Sequence, residues 1–164
     1  MKYVLIILLS LLVGMATAFL VMIKIVIKPT FEQLRKTKDL SNKHLNLYLL
    51  MNDWVNLKQQ GKDLWGYFEK NEYRKIAIYG MNYVGETLLK ELHGSGIEVL
   101  FAIDKNANNL TTDVEIVLPE NIKKKVDVIV VTPIAYFDDI ADILEQYVDC
   151  PIVSIEDVIF ESGM

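Results

Sequence analysis

The sequence predicts an α/β protein, a small doubly wound parallel sheet of about five strands behind a transmembrane helix and a helical stem. Three observations carry this. Short β-branched runs alternate with helical periodicity from Lys75 onward. Two glycines, Gly80 and Gly85, mark the passage from the first run into the first helix. Residues 3–27 are almost unbroken apolar sequence. The expected organisation is an anchor over 1–28, a stem over 29–71 and a domain over 72–164.

Composition sets the bounds. The chain has 164 residues, 52% of them hydrophobic, and a net charge of -5. That length suits one domain plus attachments. With Lys123-Lys124-Lys125 as its basic run, a mildly acidic chain is not expected to have nucleic acid as its partner. Cys150 is the single cysteine, so no disulfide forms within the chain and no metal site rests on thiolates. His44 and His93 are the two histidines and lie far apart, which leaves little for zinc or for histidine acid–base chemistry.

The apolar run, "YVLIILLSLLVGMATAFLVMIKIVI", supplies the roughly 20 residues that cross a hydrocarbon core. Lys24 can snorkel, and Pro29 is expected to limit continuation of the helix. Ala16-Thr17-Ala18 has the look of a signal-peptidase site, the competing reading. The apolar run extends past Ala18 and Lys2 is its one basic neighbour upstream, which favours an uncleaved single span. Lys24, Lys28, Arg35, Lys36 and Lys38 follow the span. That bias places the C-terminal body on the cytoplasmic side of the plasma or inner membrane.

The stem is expected to be helical from Thr30 to about Gln60, with Thr30 as cap and Gln33 completing a capping box. Leu47, Leu50, Trp54, Leu57, Leu64 and Phe68 step by three and four, interrupted at Gly61, which divides off a short helix over 63–71. Two readings of this seam stand. It forms a homodimeric coiled coil or meets a glycan-assembly protein through the Trp54–Phe68 face, or it packs on the adjacent domain. Tyr48, Met51 and Trp65 widen the face, which favours packing.

Within the domain, Lys75–Tyr79 reads as the first strand, 84–93 as a helix, and 97–104 as the second strand, about 30 residues in the manner of a βαβ unit. Residues 115–118 form a short strand before Pro119. Residues 126–132 form a buried strand, 134–147 a helix, 151–155 a last strand and 156–160 a final turn.

The glycine turn carries the functional question. Residues Gly80 to Gly85 read G-M-N-Y-V-G against the dinucleotide pattern G-x-G-x-x-G. The first glycine permits the turn and the third lets helix and strand approach. The second makes room for a pyrophosphate, and here it is Asn82. Asn tolerates left-handed backbone angles and can donate a hydrogen bond, so the turn can survive the exchange. The helix start still offers N–H groups to an anion. Asp104 ends the second strand where an acidic residue would meet ribose hydroxyls; the alternative is an Asp that turns the chain. The candidate ligand-binding residues are Gly80, Met81, Asn82, Tyr83, Val84, Gly85, Asp104, Lys105, Asn106, Thr132 and Pro133. The expected ligand is a nucleotide or nucleotide-sugar, with NAD(P) less favoured because no second domain holds a substrate.

Catalytic patterns are absent from the sequence. There is no G-x-x-x-x-G-K-[ST] and no G-x-S-x-G. Tyr83 is followed four residues on by Thr87, not Lys. Asp138, Asp139 and Asp142 lie at helical spacing and read as a solvated face.

The stretch Trp54 to Asn106, "WVNLKQQGKDLWGYFEKNEYRKIAIYGMNYVGETLLKELHGSGIEVLFAIDKN", resembles a Rossmann-like module common in bacterial surface-polysaccharide gene products. In those, a Trp-bearing helix precedes a "kkIaIYGxGxxG" turn, a helix, and a strand ending in "iDxN". Similar modules open sugar acyltransferases and occur in epimerase-like and glycosyltransferase-associated proteins. The resemblance implies that Gly80 to Gly85 face a nucleotide phosphate and that Asp104 and Asn106 sit at the ribose or sugar end. It implies an accessory or regulatory role in polysaccharide assembly. A scaffold that binds no ligand and an NAD-dependent epimerase or dehydratase are the alternatives, the last requiring a general base the sequence does not show.

Overall fold

Val128-Ile129-Val130-Val131 is a run of four β-branched residues with no face suited to water. It forms strand β4, and all four side chains are buried. β4 stands beside β1 (Lys75–Tyr79) in a sheet completed by β2 (Glu98–Ile103), β3 (Ile116–Val117) and β5 (Ile152–Ser154). The order is β3-β2-β1-β4-β5, and every pairing is parallel. Tyr79 is in register with Ile103 on one side and Val131 on the other, so the three central strands end along one edge. The computed structural model describes residues 1–105 and 114–164.

The chain divides into two compact units, Met1–Leu45 and Asn46–Met164. The first holds α1 (Lys2–Met22), a π-helical turn (Ile23–Ile27) and the start of α2 (Lys28–Gln59). It contains a helix long and apolar enough to cross a membrane. No side chain of α1 is buried. The expected stop near Pro29 and the Thr30 cap do not occur. Pro29 lacks an N–H and its ring crowds the carbonyl four residues back. A wider π turn directly precedes this point, and the Thr30 hydroxyl donates to the Val26 carbonyl at 2.6 Å. The helix therefore runs on into α2, and Thr30 bonds backward instead of capping forward.

In the second unit, both sheet faces are covered. Ile76, Ile78, Ala102, Val128 and Val130 face one core, which the C-terminal half of α2, α3 (Trp65–Lys70), α4 (Tyr83–Leu92) and α6 (Ile155–Gly163) complete. Ala77, Tyr79, Phe101, Ile103, Ile129 and Val131 face the other, closed by Ile140 and Leu144 of α5 (Phe137–Leu144). The alternation within β1 is the two-residue period of a strand buried on both sides.

The seam expected in the stem lies in the first of these cores. Leu50, Trp54, Leu57, Leu64 and Phe68 are buried there, while Leu47 remains 37% exposed. Two other expectations change. The helix over 134–147 is a 3-10 turn, Ile134–Tyr136, followed by α5, because Tyr136 N–H donates back to Pro133 O at 2.9 Å. The final turn is a full helix, α6, capped by the Ser154 hydroxyl, which accepts from Glu156 N–H at 3.2 Å.

Candidate functional site

The strand order reverses between β1 and β4: β1 connects through α4 to β2 on one side, and β4 through α5 to β5 on the other. In open α/β sheets, the crevice beyond the strand ends at such a reversal is where ligands bind. Gly80, Met81 and Asn82 follow β1 into it, Thr132 and Pro133 follow β4, and Asp104 follows β2. The structure thus brings these six candidates to one sheet edge.

Gly80 has φ +91°, a left-handed conformation that disfavours any side chain. A Cβ there would also lie 2.8 Å from the Pro133 ring and 2.9 Å from the Thr132 hydroxyl. Its N–H donates to Ile103 O at 2.8 Å, which ties the turn to the end of β2. Thr132 is buried and fixes the other side. Its N–H donates to Tyr79 O at 3.0 Å, and its hydroxyl, 2.7 Å from Gly80 O and 3.1 Å from Tyr79 O, has acceptors for its one proton. A hydroxyl left unpaired at this depth would cost about 1–3 kcal/mol.

Gly85 is required by the same turn. A Cβ on it would fall 2.2 Å from the Gly80 carbonyl oxygen, closer than atoms approach without a bond. Gly80 and Gly85 are therefore both demanded by contacts among the protein's own atoms.

Asn82 is the N-cap of α4. Its backbone is extended (φ -90°, ψ -170°), so the left-handed residue of the turn is Gly80 and not Asn82. Its side-chain oxygen accepts from Val84 N–H at 2.9 Å and Gly85 N–H at 3.3 Å. Its carbonyl accepts from Glu86 N–H at 2.9 Å. The amide thus holds two of the N–H donors at the helix start that a phosphate would use. Asp104 Oδ2 accepts from Met81 N–H at 3.0 Å, so the carboxylate expected at a ribose also braces the turn. Burial, and then the Asp104 charge, push the Tyr79 hydroxyl up from its ordinary pKa.

The remaining candidates differ in their surroundings. Met81 is 3% exposed and its side chain belongs to the core. Val84 and Gly85 are buried in the first turn of α4. Tyr83 is 84% exposed beside the turn, and Lys105 is exposed beyond β2. Asn106 lies outside the described residues. Asp138, Asp139 and Asp142 are exposed on α5. Among the described residues no group of three His, Cys, Asp or Glu is gathered to hold a metal ion. The bracing role of Thr132 went unread in the sequence; its signal is a hydroxyl directly after four buried apolar residues, which must find an acceptor.

No curated protein matches the chain. Residues 72–152, which take in the glycine turn, Asp104 and Thr132-Pro133, match the family described as C2185-like, N-terminal.

Proposed function

We propose that the protein is a membrane-tethered, Rossmann-like binding module that receives a nucleotide or nucleotide-sugar at the β1/β4 edge. In this reading it serves bacterial surface-polysaccharide assembly as an accessory or regulatory component and performs no chemistry of its own. The observation that carries the ligand reading is the reversal of strand order directly at the Gly80 turn. Asp104 follows the neighbouring strand β2, the position a ribose-binding carboxylate takes in the dinucleotide pattern, and this supports the ribose or sugar end. The assembly setting rests on the sequence resemblance of residues 54–106 and on the apolar helix. Side chains of α1 such as Leu5, Leu9 and Leu12 are more than half exposed, and a bilayer is the solvent that suits them. The lysines and arginine that follow favour a cytoplasmic domain at the plasma or inner membrane.

Calorimetric titration of the full chain in detergent micelles with UDP-glucose, UDP-N-acetylglucosamine, NAD and coenzyme A tests the reading. Saturable binding to a UDP-sugar is expected, weakened about tenfold in Asp104→Asn, which keeps an acceptor for Met81 N–H but loses the charge. Heat signals indistinguishable from dilution across the four ligands would overturn it.

One observation favours a second reading, a scaffold without ligand. Asn82 and Asp104 satisfy the N–H groups of Met81, Val84 and Gly85 from within, so these three donors need no ligand. In that case Asn82→Gly alters stability slightly and creates no ligand response.

A further inference from the structure

The C-terminal half of α2 and the last helix, α6, leave an open groove of about 650 Å³ between them. Lys62 donates to the Gly163 carbonyl, so the end of α2 lies beside the end of α6. The floor is apolar, built by Leu57 and Ile159, both buried. The walls carry large apolar side chains in water: Phe160 is 69% exposed and Leu49 is 47% exposed. Above them stand three carboxylates, Asp53, Glu156 and Asp157. None of the three forms an ion pair with a cation among the described residues.

Part of this charge serves the fold. Glu156 and Asp157 occupy the first turn of α6, where negative charge suits the helix dipole. Asp53 stands in the interior of α2 and gains nothing of that kind. A trough with an apolar floor and an acidic rim selects its occupant by sign. An anionic lipid surface is repelled by the same carboxylates. A second copy seated by two-fold symmetry would set the acids of one groove against those of the other. A helix laid in such a groove presents apolar anchors at three- and four-residue spacing, and cationic side chains along its flank would meet the rim.

We propose that the groove between α2 and α6 docks an amphipathic helix of a partner protein, with Lys or Arg against Asp53, Glu156 and Asp157 and its apolar face over Leu49 and Phe160. This surface uses no residue of the glycine turn and stands whether or not that turn takes a ligand.

Photo-cross-linking tests it, with benzoylphenylalanine replacing Phe160 in the full chain in its native membrane and the adduct mapped by mass spectrometry. The expected adduct lies in another polypeptide, on a segment with Lys or Arg beside apolar residues at helical spacing. Its yield is expected to fall about tenfold when Asp53→Lys and Asp157→Lys are combined. Should circular dichroism show that pair unfolded, Asp53→Asn and a rise in salt replace it, and each is expected to lower the yield. The proposal is overturned by an adduct with lipid, with the same chain or with a second copy. An acidic or non-helical partner segment, no adduct, or a yield indifferent to both charge and salt also overturns it.

Discussion

Gly85 and Asn82 sit three residues apart and answer to different physics. Gly85 has no room for a methyl group, since the Gly80 carbonyl would stand 2.2 Å from it. Gly85→Ala is therefore expected to cost about 3 kcal/mol, read from urea unfolding of the full chain in detergent, and an unchanged midpoint would contradict the packing described. Asn82 acts through hydrogen bonds alone. Asn82→Ala should cost about 1 kcal/mol as a lost cap, and Asn82→Gly only a few tenths. Asp127 adds a pH dependence. Its carboxylate accepts from the N–H groups of Arg74 and Lys75, both at 2.7 Å, and these bonds, first that from Lys75, hold its pKa below the ordinary carboxylate value. The folded value is thus lower than the unfolded one, about 3.9, so its contribution is present above that pH and is lost as pH falls through the folded value. Asp127→Asn should flatten the acid limb of stability measured between about pH 5 and pH 2, leaving the neutral region little changed in slope.

At the scale of elements, α2 belongs to two settings. Its C-terminal half lies in the domain core, where Trp54 is 3% exposed, whereas Phe31 and Leu34 in its N-terminal part are 68% and 65% exposed. Trp54→Ala should destabilise the domain by about 3–5 kcal/mol, while Leu34→Ala should stay within about 0.5 kcal/mol in the same unfolding measurement. The strands were legible because Lys75–Tyr79 and Val128–Val131 are short, β-branched and bounded by turn residues. The apolar spacing around Trp54 showed a buried face but not its partner, since a dimer seam and a core face share the 3.6-residue period. α6 was read short because acidic residues at its start and exposed Phe160 mask the Ile155, Val158 and Ile159 side that enters the core. Of the candidate site, the sequence named Gly80, Met81, Asn82, Asp104, Thr132 and Pro133, which follow three neighbouring strands at one edge. The Asn82 cap was not, because whether an Asn side chain turns back onto the helix is decided by a backbone that periodicity does not report.

For the whole molecule, the positive flank after the apolar helix makes the topology testable. A fluorescent protein fused after Met164 should glow, and an alkaline phosphatase at the same place should stay inactive, in keeping with the placement of Lys28, Arg35, Lys36 and Lys38. Replacing those four by Glu should move the two reporters toward the opposite pattern. An active phosphatase on the unaltered chain would place the sheet outside the membrane, away from cytoplasmic nucleotide-sugars.

The contact between Gly85 and the Gly80 carbonyl also bears on descent. In a lineage that gave up its ligand, positions 80 and 85 would stay glycine because the chain could not close its first turn otherwise, while position 82 would be free to drift to any good helix cap. The outer two glycines of such a pattern therefore report the geometry of the turn and not the presence of a ligand. At the middle position a loss of ligand would leave only the demand for a helix cap, which Asn82 meets.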